Sequence, residues 1–304
     1  METIISNVAI LAAFVLIGWL LGKRNIVNSQ HAKILSALTV WIFLPCKSFK
    51  GFVSSFTLKY LSEKYQIILS SLAVMVALVT ITWLLVPKVV KDSYQQKIIR
   101  YSLTLSNYGH FGYAFIESVW GPQMLLNALM FGLPFSCYAY TEGYRLLTNQ
   151  DKISLKRIVN PVVVAMFAGC LVGLSGIRLP VVLTSVVEKA SSCVAPISML
   201  LTGIMVSDFS LKDIFRSRSA YIVCAFRLLI IPFLLCFILH YIFPKEIVMI
   251  TVLMQAMPCG LGPIIFPNLV GEDCHTGAAL AMLSTIGSLV TIPVCVQMVE
   301  CLCR

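Results

Sequence analysis

Two stretches of this chain place helix-breaking residues in the middle of apolar runs. One is Ser106-Asn107-Tyr108-Gly109-His110-Phe111-Gly112-Tyr113, and the other is Met257-Pro258-Cys259-Gly260-Leu261-Gly262-Pro263. Glycine costs a helix about 1 kcal/mol against alanine, and proline removes a donor and clashes with the preceding turn. Both stretches therefore read as interruptions. A broken helix leaves free N–H groups on one side and free C=O groups on the other, and the N–H ends attract anions. The residues predicted to hold a ligand are Asn107, Gly109, His110, Gly112 and Tyr113 from the first stretch, and Pro258, Gly260 and Gly262 from the second. Asn107 can donate its amide to a carboxylate or tie two helices together. His110, with a reference pKa of about 6.5, suits proton coupling in one reading and a neutral hydrogen-bonded role in the other.

Two charged residues also lie within apolar runs. Arg227 is too deep in its run to be a loop charge. An arginine at that depth is a functional candidate; the alternatives are snorkelling to the interface and pairing with a structural carboxylate. Glu117, further along the first interrupted run, reads as vestibule wall or as a proton or substrate partner.

Other chemistry has no signature. There is no HExxH, no GxxxxGK[ST] and no TVGYG, and the four histidines are scattered. Cys301-Leu302-Cys303 is an isolated CxC, weak as a metal or acylation signal. No enzyme, cofactor or metal is called for.

These residues sit in a chain built for lipid. Of 304 residues, 59% are apolar and 12% charged, with a mean hydropathy of +0.90. A soluble domain has about 25% charged residues, and so few charges cannot coat a globule of this size. The excess of basic residues falls beside apolar runs, where it sets orientation; it does not point to nucleic acid. Ten apolar runs fall near 4–22, 33–53, 66–86, 98–120, 123–144, 158–177, 184–207, 218–243, 247–270 and 274–299. The first follows Glu2 without a basic leader and is expected to be a span rather than a cleaved signal. The second is the least certain, because Lys47 and Lys50 cut its far end. With both termini outside, fourteen loop Lys and Arg face the cytoplasm against eight outside, with Lys152 inside and Arg304 outside.

The chain also repeats itself. Asn107–Gly121 aligns with Met257–Gly271 at an offset of 150, which puts Gly112 on Gly262 and Gly121 on Gly271. The predicted organisation is a first five-helix repeat over 1–147, a cytoplasmic linker over 148–157 and a second repeat over 158–304. Five is odd, so the second half inserts upside down, the inverted-repeat pattern of secondary transporters.

The stretch Asn107-Tyr108-Gly109-His110-Phe111-Gly112 with Trp120-Gly121 resembles the fourth-helix motif of the auxin efflux carrier family. That family includes bacterial malonate-type carriers and, more distantly, plant auxin exporters of the PIN type. Leu44-Pro45, Asn160-Pro161, Leu179-Pro180, Pro196 with Leu200-Leu201-Thr202-Gly203, Arg227 with Pro232, Met257-Pro258, and Ser284-Thr285 through Ile292-Pro293 extend the resemblance over nearly the whole chain. It implies an all-α, ten-helix, five-plus-five inverted repeat of the sodium/proton antiporter-like type, with broken helices four and nine crossing beside the substrate. It also implies carriage of small organic anions, a carboxylate or an auxin-like molecule. Asn107 matches an asparagine that contacts the substrate carboxylate in the plant branch. Many members have Pro where this chain has Ala114, and Asn where it has Gly262, so the second break lacks one expected amide donor.

The expected function is secondary transport of a small organic anion by alternating access in the cell membrane. A membrane sensor that binds without transport is the alternative. Expected partners are the anion, the bilayer, a coupling proton and, as an option, a second copy of the chain as a homodimer.

Overall fold

A computed structural model describes residues 2–150 and 159–303. Most of the predicted linker 148–157, together with Lys152 and Arg304, lies outside the described residues. Those residues are mostly helical, without strands.

The first half opens with α1 (Glu2–Lys23). Helix α2 (Ser29–Leu38) then runs through a π-helical turn (Thr39–Phe43) into α3 (Leu44–Ser55). Pro45 explains the turn, since widening the helix ahead of a proline relieves its clash with the preceding turn. A short α4 (Leu58–Lys64) leads to α5 (Gln66–Val89). Helix α6 (Ser93–Thr104) is capped by Asp92, whose carboxylate accepts from the Gln95 N–H at 2.6 Å. After the first interruption come a π turn (Tyr108–Gly112), α7 (Tyr113–Tyr138), a further π turn (Ala139–Gly143) and α8 (Tyr144–Leu147). Gly121 splits α7 at φ 80°, a left-handed conformation that suits only glycine.

The second half starts with α9 (Pro161–Ser175), whose cap Asn160 accepts from the N–H groups of Val162 and Val163. It continues with α10 (Val181–Ser192), α11 (Val194–Ser207), α12 (Leu211–Arg216) and α13 (Arg218–Ala225). A π turn (Phe226–Ile230) precedes α14 (Ile231–Leu239), with Pro232 again just beyond it. Helix α15 (Lys245–Ala256) stops at the second interruption, α16 (Gly262–Val270) resumes, and α17 (His275–Leu302) closes the described chain. Gly271, aligned with Gly121, ends α16 at φ 76°.

Among the described residues, six helical stretches are long and apolar enough to cross a membrane: Ile5–Lys23, His31–Ser54, Gln66–Val89, Val181–Ser207, Arg218–Leu239 and His275–Leu302. Their surfaces are built for lipid. On α5 the buried face includes Ser70, Ser71 and Thr82, while Leu69, Val76 and Leu84 are exposed. A helix that is apolar outside and carries its hydroxyls inside would aggregate in water and is at home in hydrocarbon. Helix α1 packs along α11, and α3 along α9.

The second run differs from expectation. It is helical to Ser55, and Lys47 is buried within it rather than lying in a loop. Lys47 can be buried because Glu117 neutralises it at 2.5 Å. Its charge therefore drops out of the loop-charge comparison that favoured termini outside.

Candidate functional site

The two interruptions meet. The Asn107 N–H donates to the Pro258 carbonyl at 2.7 Å, the Gly260 N–H donates to the Leu105 carbonyl at 3.2 Å, and Ser106 and Cys259 form an antiparallel bridge. Ser106 Oγ donates to the Met254 carbonyl at 2.7 Å, and the Cys259 N–H donates to Ser284 Oγ at 2.9 Å. Each break thus satisfies backbone groups that the other has freed. Irregular backbone tolerates an apolar interior only on such terms. Gly260 permits the approach: a Cβ there would lie 3.3 Å from the Leu105 carbonyl oxygen and 3.4 Å from that of Ser106.

A cavity of about 320 Å³ runs inward from the exposed Lys33 to this junction. Asn107, Gly109, His110, Tyr113, Gly260 and Gly262 all line it, so six of the eight predicted ligand-holding residues come together. Asn107 is 3% exposed, and its side-chain Oδ1 has no hydrogen-bond partner among the described residues. No interhelical tie is made through that oxygen. The Asn107 backbone carbonyl accepts from the N–H groups of Phe111 and Gly112, both at 3.0 Å. The N–H groups of Tyr108, Gly109 and His110 open the turn and lack intrahelical acceptors. His110 Nδ1 hydrogen-bonds Ser198 Oγ of α11 at 3.1 Å, which links the first break to a neighbouring span. No Asp or Glu side chain is among the lining residues.

Four predictions need correction. Gly112 does not line the cavity: its N–H is used by the Asn107 carbonyl, and it packs on the Met257 side chain. Pro258 does not line it either, because its carbonyl is committed to Asn107 and serves to join the breaks. Glu117 does not line the cavity and is not a free partner. It pairs with Lys47 at 2.5 Å and with Lys50 at 3.7 Å, and Lys50 also reaches Glu188 at 3.5 Å. Arg227 neither snorkels nor pairs with a carboxylate: it is 0% exposed, and its Nη1 donates to the Leu103 carbonyl at 2.8 Å.

Sequence reasoning missed the aromatic wall. Tyr101, Tyr108, Tyr140, Trp41 and Phe266 line the cavity with Tyr113. Seven of the eleven tyrosines fall between residues 94 and 144, a concentration the sequence displays but whose common destination it does not. Tyr108 Oη and Ser136 Oγ share a hydrogen bond at 3.0 Å. Tyr101 answers the departure at Gly262. Its ring edge and hydroxyl stand where a Cβ on Gly262 would lie, so the space an asparagine side chain needs is already filled. At the Lys33 end, burial and then the neighbouring Asp273 push the Cys274 thiol up to about 11. That thiol stays protonated at neutral pH and offers no thiolate ligand.

A profile of the membrane transport protein family matches the chain twice, over residues 3–152 and 145–296. No curated protein matches it at a significant level. The matches together span nearly the whole chain, so it belongs to the membrane transport protein family. It is accordingly a multi-pass membrane protein that moves a substrate across a bilayer.

Proposed function

We propose that this membrane transport protein is a secondary carrier of a small organic anion, of the auxin efflux carrier type, working by alternating access. One observation carries the reading. The cavity ends at two paired helix breaks, where the carboxamide of Asn107 is buried with an unpartnered oxygen. A buried amide left open costs stability unless a ligand or water completes it. Oδ1 is an acceptor and is left to water, while the NH₂ of the same cavity-lining amide can donate to a carboxylate. The N–H groups of the turn after Asn107 add donors of the same sign.

The same reading gives the chain ten spans. Six are the long apolar stretches. The α6–α7 and α15–α16 segments each cross as an interrupted pair, the part of α7 after Gly121 forms another span, and α9 forms the tenth. The halves 1–147 and 158–304, joined by the linker 148–157, are an inverted repeat whose broken fourth and ninth spans cross. The offset of 150 between Gly121 and Gly271, both with left-handed φ, supports that symmetry. So does the tandem family match. Both termini lie outside, and the Lys33 end of the cavity faces the cytoplasm of a cell-membrane protein. Transport follows pH or potential rather than Na⁺, because a hard cation wants several oxygen ligands and the lining side chains include no carboxylate. No enzymatic step is assigned.

Counterflow in proteoliposomes tests the function. Vesicles preloaded with unlabelled carboxylate should accumulate the labelled compound transiently, with no added Na⁺. Ligand-induced thermal stabilisation without counterflow would instead make the protein a sensor.

A further inference from the structure

Arg227 is the largest fully buried side chain among the described residues. It makes one hydrogen bond, to the Leu103 carbonyl near the C-terminal end of α6, and its Nε and Nη2 have no partner among the described residues. Its π turn packs against α6, α15 and α17. The titratable group facing it is Cys259, which sits in the second break. Arg227 does not line the cavity. It stands behind the paired breaks, bonded to a residue four positions before Asn107.

The charges around the cavity's inner end can be counted. The C-terminal ends of α6 and α15 each bring about half a negative charge, and the N-terminal ends that follow each break bring about half a positive charge. These cancel. The lining carries no Asp or Glu, and Lys33, at the mouth, is exposed and screened by water. With the Cys259 thiol protonated and neutral, what is left is one guanidinium that cannot lose its proton. A monoanion at Asn107 brings the buried region to neutrality. A dianion leaves a second charge uncompensated in a low-dielectric interior, a strongly unfavourable state.

Building on the anion-carrier reading above, we propose that Arg227 is the fixed counter-charge of the cavity and restricts it to singly charged organic anions. It acts as a positioning and charge-setting residue, since it reaches the ligand through the break rather than by touching it.

The test uses the full-length carrier in nanodiscs at pH 7.5, with two matched pairs of probes: acetate against malonate and phenylacetate against phenylmalonate. The monoanion of the better-bound pair should bind at least about tenfold more tightly than its dianion. Arg227→Gln should weaken monoanion binding by about tenfold or more, while binding of neutral phenylacetamide stays unchanged. Arg227→Lys should restore monoanion binding to within a few fold. A merely structural arginine would move the anions and phenylacetamide together. Equal or tighter binding of the dianion to the wild type overturns the proposal, whether or not the glutamine variant folds. Unchanged phenylacetate affinity in Arg227→Gln overturns it too. If none of the four anions binds the wild type, the anion reading itself falls, which is distinct from anions binding without regard to charge.

Discussion

The first break brings side chains to the cavity, with Asn107 and His110 in its turn and Tyr113 just beyond, whereas the second brings backbone, through Gly260 and Gly262. Their backbone roles are reciprocal, each supplying the acceptor for an N–H of the other. Their surroundings are not. The helix after the first break is anchored in its second turn by Glu117 to Lys47, while the aligned position in the second half is Pro267, which cannot pair. The helix after the second break is instead held against Tyr101 from the first half. The two aligned breaks share backbone geometry and divide the chemistry between them.

The largest expected effect tests the anchor. Glu117→Gln should lower stability by about 3 kcal/mol, because it leaves Lys47 buried and charged. The figure is at the low end for a buried pair because the Glu117 side chain is 25% exposed. Pro267→Ala should cost far less. Equal melting temperatures for the two variants would remove the asymmetry.

Next comes the side chain that the first break supplies. Asn107→Ala should weaken carboxylate binding by about 1.5–3 kcal/mol, roughly 10- to 150-fold, and Asn107→Asp should be worse. Titration and melting of the same purified variants check this. Two variants that melt early but bind normally would reduce Asn107 to a packing residue.

Smaller is the effect of crowding the second break. Gly262→Ala should cost about 1–3 kcal/mol through overlap with Tyr101. Adding Tyr101→Ala should recover part of the Gly262→Ala cost, read as a positive coupling in a double-mutant cycle. Additive losses would show that the tyrosine does not set that boundary.

The smallest contrast separates two of the three cavity-lining glycines. A Cβ on Gly109 meets nothing within 4 Å, whereas one on Gly260 meets two backbone oxygens. Gly109→Ala should therefore change stability by less than about 1 kcal/mol, in either direction, while Gly260→Ala destabilises. Thermal denaturation of the pair decides it.

Much of this architecture is legible in the residue order, and what is not has a physical reason. Glycine and proline inside apolar runs announce the breaks because helix cost is local. The pairing of Leu105, Asn107, Pro258 and Gly260 is not anticipated residue by residue, since hydrogen-bond partners are not local. Lys47 reads as a loop residue because its neutralising carboxylate lies 70 positions away. Arg227 reads as a functional candidate, a snorkelling residue or half of an ion pair, and its actual partner is a backbone carbonyl, which every residue carries and no sequence singles out. The tyrosine wall is hidden for a related reason: an aromatic in a membrane helix faces lipid, core or cavity with no change in its letter.

The reciprocal bonding of the breaks also constrains the order of biosynthesis. The Asn107 N–H receives its acceptor from Pro258, and Leu105 receives its donor from Gly260, about 150 residues later. At about 5–20 residues per second, the first break waits roughly 8–30 s on the ribosome for the second. Through that interval the nascent first half holds open amide and carbonyl groups at a depth where lipid offers none in return. Water, the insertion machinery or a chaperone must cover them. A chain halted anywhere between the two breaks therefore presents a defined, unsealed polar seam, a mark by which membrane quality control can tell an unfinished molecule from a finished one.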